Sequence, residues 1–415
     1  GETDNIEEWE NFIHIPDLSR IKEKKRKAQE KIIEEKQLLI DKGLLLFESS
    51  VSDKFFVRPV WCEAPSGKGF LLCWNHGNMT KKCQIECYHA PWSAAPFPSG
   101  INIEDSAHIF KLSPSGRYLA IGNAFGNWKA QIWNMEQREA VAEIKHTSAV
   151  TWIDFSCDEK TVYSRSPYEF ILTSMESFSP VNCFKLSPVG NKAAIHPSEN
   201  IMLVEQQDKL LFIDLLTGKQ LKTLYVGGKK DLTEIFNYFI PKLEEEFNKK
   251  GVNFPDKLLP HRVHGSEYIF CIEFSRDGKM VFFGTDNGVR VFSWYDLMAA
   301  KEETPAPLFS YPPLPVKFGA PHFYVYTLLF DETKNTLIFG TEEGKIEFLD
   351  LGTGKSGILL AMPASSPLLN IGLSRDKSVL CSSYRARKNK SSQIQIWNYR
   401  ALWKKISNGD EKTCK

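Results

Sequence analysis

Apolar and polar positions alternate along most of this chain in short bursts, each broken by a tight polar turn. The clearest burst is Ile109–Ala120: an apolar stretch, the turn Ser113-Pro114-Ser115-Gly116, and a second apolar stretch. It returns as Cys183–Ala194, with Ser187-Pro188-Val189-Gly190 at the turn, and as Ile272–Val281, with Ser275-Arg276-Asp277-Gly278. Period-two alternation on both sides of a Ser-Pro or Asp-Gly turn predicts a β-hairpin. Weaker copies stand at Trp152–Tyr163, Leu328–Phe339 and Ile371–Leu380. One hairpin recurring at intervals of tens of residues predicts a repeat architecture.

Several copies are followed by a third strand that closes on an aromatic-polar or apolar-acid pair. Gln131–Asn134, Phe212–Asp214, Glu347–Asp350 and Gln395–Asn398 are the instances. A turn then leads into a fourth strand, as in Leu216–Leu221. Four short strands that cannot bury both faces alone must stack on their neighbours, which is the logic of a propeller blade.

In these phrases the chain resembles the WD40 repeat family over roughly residues 44–406. The family's Trp-Asp pair stands as Trp133-Asn134 and Trp397-Asn398, and as Ile213-Asp214 and Leu349-Asp350 elsewhere. His146 falls where the family's repeat places a histidine. The resemblance implies an all-β fold, a single β-propeller of about seven four-stranded blades. The blades are expected near 44–90, 105–145, 148–180, 181–226, 266–310, 322–361 and 367–406. It also implies a non-catalytic role in assembling other proteins. Residues 1–43 are expected as an N-terminal helical extension and 407–415 as a flexible tail.

Two predicted additions interrupt the array. Asp17-Leu18-Ser19 can cap a helix running to about Asp41 and ended by Gly43, with a thin apolar stripe of Leu18, Ile21, Ala28, Ile32 and Leu39. Between the fourth and fifth blades, about 228–263, Leu232, Ile235, Phe236, Phe239, Ile240, Leu243 and Phe247 recur at helical spacing. Packing of that face on the propeller and presentation of it to a partner are both open. The partner reading assigns Ile235, Phe236, Phe239 and Phe247 as contact residues.

Composition narrows the function classes. The net charge is +1, so no global field draws the chain to nucleic acid or an anionic membrane. No apolar run reaches the ~18 residues of a membrane span. Nine scattered cysteines, mostly inside strand-like runs, fit free thiols in a reducing compartment, and a cytoplasmic location is expected. The opening glycine reads as a processed, tagged or cut start.

The candidate chemistry is sparse. Gly354-Lys355-Ser356 lacks the glycine a phosphate loop needs five residues earlier, where Leu349 stands, and repeats the blade turn seen at Thr217-Gly218-Lys219. Cys73, His76, Cys83, Cys87 and His89 have zinc-ligand types, but a buried strand face explains them equally well. No cofactor is expected, and no constellation suggests acid–base or nucleophilic catalysis. Arg385, Arg387 and Lys388 lie in a basic loop of the last blade. An acidic protein partner or, as the alternative, RNA within a ribonucleoprotein would meet them. A propeller enzyme or small-ligand binder is the remaining alternative.

Overall fold

The repeated phrase folds as a hairpin anchored by its serine. Ser113 N donates to the Tyr118 carbonyl at 2.8 Å, and Ser113 Oγ accepts from Tyr118 N at 3.1 Å. The same double link joins Ser156 to Thr161, Ser275 to Met280 and Ser374 to Val379. Three residues past each serine the backbone turns left-handed: Gly116 at φ 81°, Glu159 at 58°, Gly278 at 75° and Lys377 at 53°. Glycine adopts this region freely, whereas a side chain there costs ~1 kcal/mol. The turn geometry is therefore shared by Ile109–Ala120, Trp152–Tyr163, Ile272–Val281 and Ile371–Leu380, whichever residue stands at this position.

The closing pair has an equally local cause. Asp214 Oδ1 accepts from Leu216 N at 2.9 Å and Thr217 N at 2.7 Å, and Asn134 and Asp350 hold their turns the same way. A short carboxylate or amide reaching two residues ahead mimics a backbone turn. In two blades this position starts a helix instead. Ser293 Oγ caps α1 (Trp294–Ala299), and Asn398 Oδ1 accepts from Ala401 N inside α2 (Tyr399–Ser407).

The computed structural model describes residues 37–51, strands between 54 and 103, and 107–123, 127–186, 192–206, 209–226, 267–312, 323–360, 367–385 and 392–407, with a few isolated positions. It is all-β with few helices: six four-stranded sheets and one five-stranded sheet. The innermost strands are Pro59–Ala64, Ala107–Leu112, Trp152–Phe155, Ala193–Ile195, Ile269–Phe274, Val325–Asp331 and Leu368–Leu373. Successive ones lie side by side, and the last lies against the first, so the sheets close a ring. This is a β-propeller, and the blades are numbered 1–7 in that order.

Two expectations need correction. Leu45–Val51, placed by sequence in blade 1, pairs instead with Ser392–Asn398 as the outer strand of blade 7. Blade 1 is the five-stranded sheet over 54–103. Cys183–Ala194 is not a hairpin of one blade: Pro180–Lys185 is the outer strand of blade 3, and Ala193–Ile195 is the inner strand of blade 4. The turn of blade 4 is His196-Pro197-Ser198-Glu199-Asn200, with His196 in the serine's place. His196 N bonds the Ile201 carbonyl at 2.9 Å, and Nδ1 accepts from Glu199 N at 2.9 Å. At the chain's start, residues 37–41 are helical and Gly43, at φ 62°, ends the helix. Leu39 is buried with Leu45, Trp397 and Leu402 over the blade 6–7 seam.

The hydrophobic cores lie between blades rather than within them. Leu203, Phe212 and Leu224 of blade 4 pack on Ile272, Val281 and Phe283 of blade 5, and the neighbouring seams repeat the pattern. Three seams pair a glycine with the residue entering the next inner strand: Gly122 with Val150, Gly284 with Val325 and Gly340 with Leu368. The blade 3–4 seam differs. Arg165 occupies the glycine's place and its Nη2 donates to the Gly190 carbonyl, while the Glu205 carboxylate fills the space a side chain at position 190 would need. A Cβ on Gly284 would stand 2.7 Å from the Val325 carbonyl oxygen, backbone that cannot step aside. Gly284→Ala is expected to cost ~1–3 kcal/mol in urea unfolding. Gly352→Ala, where a Cβ meets only Asp350 Oδ1 at 3.3 Å and Asn335 Nδ2 at 3.5 Å, should stay within ~0.5 kcal/mol.

Candidate functional site: the channel mouth

Register decides which side chains line the channel. The residue two places ahead of each turn anchor is Lys111 in blade 2, Asp154 in blade 3, Ala194 in blade 4 and Glu273 in blade 5. All four border a cavity of about 780 Å³ that opens on the face carrying the anchored turns. Lys111 Nζ lies 3.2 Å from Asp154 Oδ2. Glu273 has no such partner among the described residues. Protein surrounds it although solvent still reaches it, and this enclosure pushes its carboxyl up to about 7, with Lys111 pulling it down and Asp154 raising it further.

The rim of this mouth is laced between blades. Glu159 accepts from Ser115 N and, at 2.7 Å, from Ser115 Oγ. Glu332 accepts from Arg276 N, and Arg375 of blade 7 donates to the Pro114 carbonyl of blade 2. Between blades 4 and 5, His196 Nε2 donates to the Gly278 carbonyl at 3.1 Å, because its Nδ1 is already an acceptor. Trp294 stacks on that imidazole at 4.7 Å and donates from Nε1 to Glu199 Oε1 at 2.8 Å.

One trio has the connectivity of a hydrolytic relay. His146 Nε2 lies 2.9 Å from Ser164 Oγ, and Nδ1 lies 3.1 Å from Glu169 Oε1. Ser164, however, is 0% exposed, so no substrate carbonyl can reach its hydroxyl. Burial lowers the His146 pKa against the opposing pull of Glu169. The trio ties the connection between blades 2 and 3 to the strands of blade 3, and in blade 7 Trp397 Nε1 bonds the matching Ser382 at 2.9 Å. The resemblance to the repeat family singled out His146, but Ser164 and Glu169 converge on it only in the folded chain.

Two further charged groups sit inside seams. Arg165 is 0% exposed, its Nε and Nη1 have no hydrogen-bond partner among the described residues, and burial pushes its pKa down to about 10. Glu347, 1% exposed, is pushed up to about 7 by burial, with the Tyr311 hydroxyl and Lys345 opposing.

Of the residues assigned from sequence, Ile235, Phe236, Phe239 and Phe247 lie outside the described residues, as do Arg387 and Lys388. Arg385 ends the second strand of blade 7, and Ser392 opens the third, so the basic segment joins those two strands. Gly354, at φ 68°, is the Asx turn after Asp350. The strands Gly67–His76 and Cys83–His89 pair with Cys73 opposite Ile85 and Cys87 opposite Leu71. Their side chains lie outside the described set. Among the described residues no group of three or more His, Cys, Asp or Glu side chains could hold a metal.

A closed ring of sheets, Ser-anchored inner hairpins and Asx-closed third strands define the repeat propellers. The WD domain, G-beta repeat family (WD40) matches residues 257–293, a stretch that contains the inner three strands of blade 5. The chain is a WD40-repeat β-propeller. A search of curated proteins finds no match to it. Propellers of this family commonly mediate protein–protein contacts and are typically non-enzymatic. No helix among the described residues is long and apolar enough to cross a membrane.

Glu347 gives this ring a pH signature. Between its ordinary 4.5 and about 7 the folded chain keeps a proton that the unfolded chain releases, so stability falls as pH rises through that window. Glu347→Gln removes this residue's share of the fall and leaves that of Glu273. Urea titrations at about pH 5 and pH 8 should show the variant gaining up to ~3 kcal/mol on the parent at the higher pH and little at the lower.

Proposed function

We propose that the chain is a non-catalytic scaffold, a rigid ring that holds other proteins together. The observation that carries this reading is the placement of large apolar side chains where packing does not need them. Trp128 and Tyr168, 46% and 53% exposed, stand in the same loop, between the second and third strands, of neighbouring blades 2 and 3. Tyr295 on α1 and Leu216 on the blade 4 turn are also solvent-exposed. Trp and Tyr at adjacent loop tips are the residue types that anchor protein interfaces. The Ser164–His146–Glu169 trio supports the non-catalytic part, since its serine is sealed.

Ile235, Phe236, Phe239 and Phe247 of the insertion belong to this proposal as a second contact region. Arg385, Arg387 and Lys388 belong to it as a charged contact for an acidic partner. A cytoplasmic site of action goes with it, from the scattered free thiols. Affinity capture followed by mass spectrometry tests the reading. The full chain should retain specific proteins in near-stoichiometric amounts. Trp128→Ala with Tyr168→Ala, or removal of 228–263, should release at least one of them without lowering thermal stability. Equal capture by all three forms would contradict these surfaces, and capture of nothing would contradict the scaffold.

A further inference from the structure

We infer that the channel mouth on the anchored-turn face binds the cationic side chain, arginine or lysine, of a partner protein. This deepens the scaffold reading and rests on it. Four inner strands deliver one side chain each to the same level, and they differ in a way that leaves a defined vacancy. Ala194 lies between the two carboxylates, Asp154 on the blade before it and Glu273 on the blade after it. Where its neighbours project long polar groups, blade 4 projects a methyl. The gap belongs to a cavity of about 780 Å³, ample for an extended basic side chain with flanking backbone.

The charge count fixes the kind of occupant. Lys111 satisfies Asp154 at 3.2 Å, which leaves the Glu273 carboxyl as the acid without a bonded counter-ion among the described residues. A carboxylate facing this cavity is stabilised by one added positive charge. The rest of the lining leans the same way, with Asp158 and Glu199 at the rim against Arg276. A divalent metal suits the site poorly, because Lys111 competes for Asp154 and no third ligand converges among the described residues. An anion would meet two carboxylates. A guanidinium or ammonium on a flexible stem can reach Glu273 through the space above Ala194 and donate to its oxygens.

The site also has the rigidity that a side-chain socket needs. The hydrogen bonds that lace the rim hold the inner strands in place whether or not the cavity is filled.

Calorimetry on the full chain provides the test, with the capped peptide Gly-Ala-Arg-Ala-Gly, its lysine version and its citrulline version, the last a neutral isostere of arginine. The arginine or lysine peptide should bind with Kd below ~1 mM, and the citrulline peptide at least ~10-fold more weakly. Glu273→Gln should weaken the basic peptide by roughly 10-fold. Lys111→Gln, which removes the counter-ion of Asp154, should tighten it several-fold. Ala194→Leu should block binding by filling the gap, with folding confirmed by its thermal transition. Opposite signs at Glu273 and Lys111 distinguish a binding role from a structural one. Equal binding of the citrulline peptide, shifts of the same sign in the two variants, or preference for an aspartate peptide would overturn the inference. If proteins are captured equally by the parent and Glu273→Gln chains and no basic peptide binds, the socket fails while the scaffold stands. If nothing is captured, the scaffold itself fails.

Discussion

The fold depends on one strand crossing from one end of the chain to the other. Leu45–Val51 forms its ladder with Ser392–Asn398, with Leu45 opposite Trp397 and Val51 opposite Ser392, and Gln395 reaches Glu48 347 positions away in sequence. From blade 2 to blade 7 the cores lie at seams, so each blade between them needs two neighbours to bury both of its faces. A linear stack would leave two end blades with an apolar face in water, whereas a ring leaves none. Building the last blade from both ends of the chain makes that ring hard to open, because opening it breaks a β-ladder as well as an apolar contact.

The channel follows from the closure. Inner strands held side by side present the same register position to a common axis, so one substitution per blade sets the polarity of the channel. Lys111, Asp154, Ala194 and Glu273 are four solutions to one geometric position. The contrast with the seams is chemical. There some polar groups are held by fixed partners, as Ser164 is by His146 and Ser382 by Trp397, while Arg165 keeps two guanidinium nitrogens without a bonded partner among the described residues. In the channel the Glu273 carboxyl has no bonded counter-ion among the described residues and faces the cavity. A protein that spent its buried hydrogen bonds on rigidity has its adaptable charge at the mouth.

Much of this was legible in the chain itself, because the turn chemistry is local. Ser113, Ser156, Ser275 and Ser374 announce their hairpins, and Asn134, Asp214 and Asp350 announce the ends of third strands, since each needs only residues two to five places away. Blade 4 misled for the same reason. Phe184-Lys185-Leu186-Ser187 imitates the phrase locally, while the true anchor is His196, whose imidazole accepts from Ser198 N and Glu199 N where the serines elsewhere accept from the residue five places on. The partner of Leu45–Val51 could not be found from sequence, because an outer strand carries no phrase and its ladder is set by closure. Neither could the channel site: Lys111, Asp154 and Glu273 are spread over 160 residues, and only the register of three separate blades brings them together. The bond from Arg165 to the Gly190 carbonyl is also invisible until the two blades are placed side by side.

The most direct test of the closed ring is native-state amide hydrogen exchange, residue by residue. Closure predicts that the ladder amides of 45–51 and 392–398 exchange only with global unfolding, at the rate of the central strand Thr336–Thr341 of blade 6. Exchange of those two segments well ahead of Thr336–Thr341, with the remaining blades still protected, would mean that the ring opens at its last blade and would contradict the account.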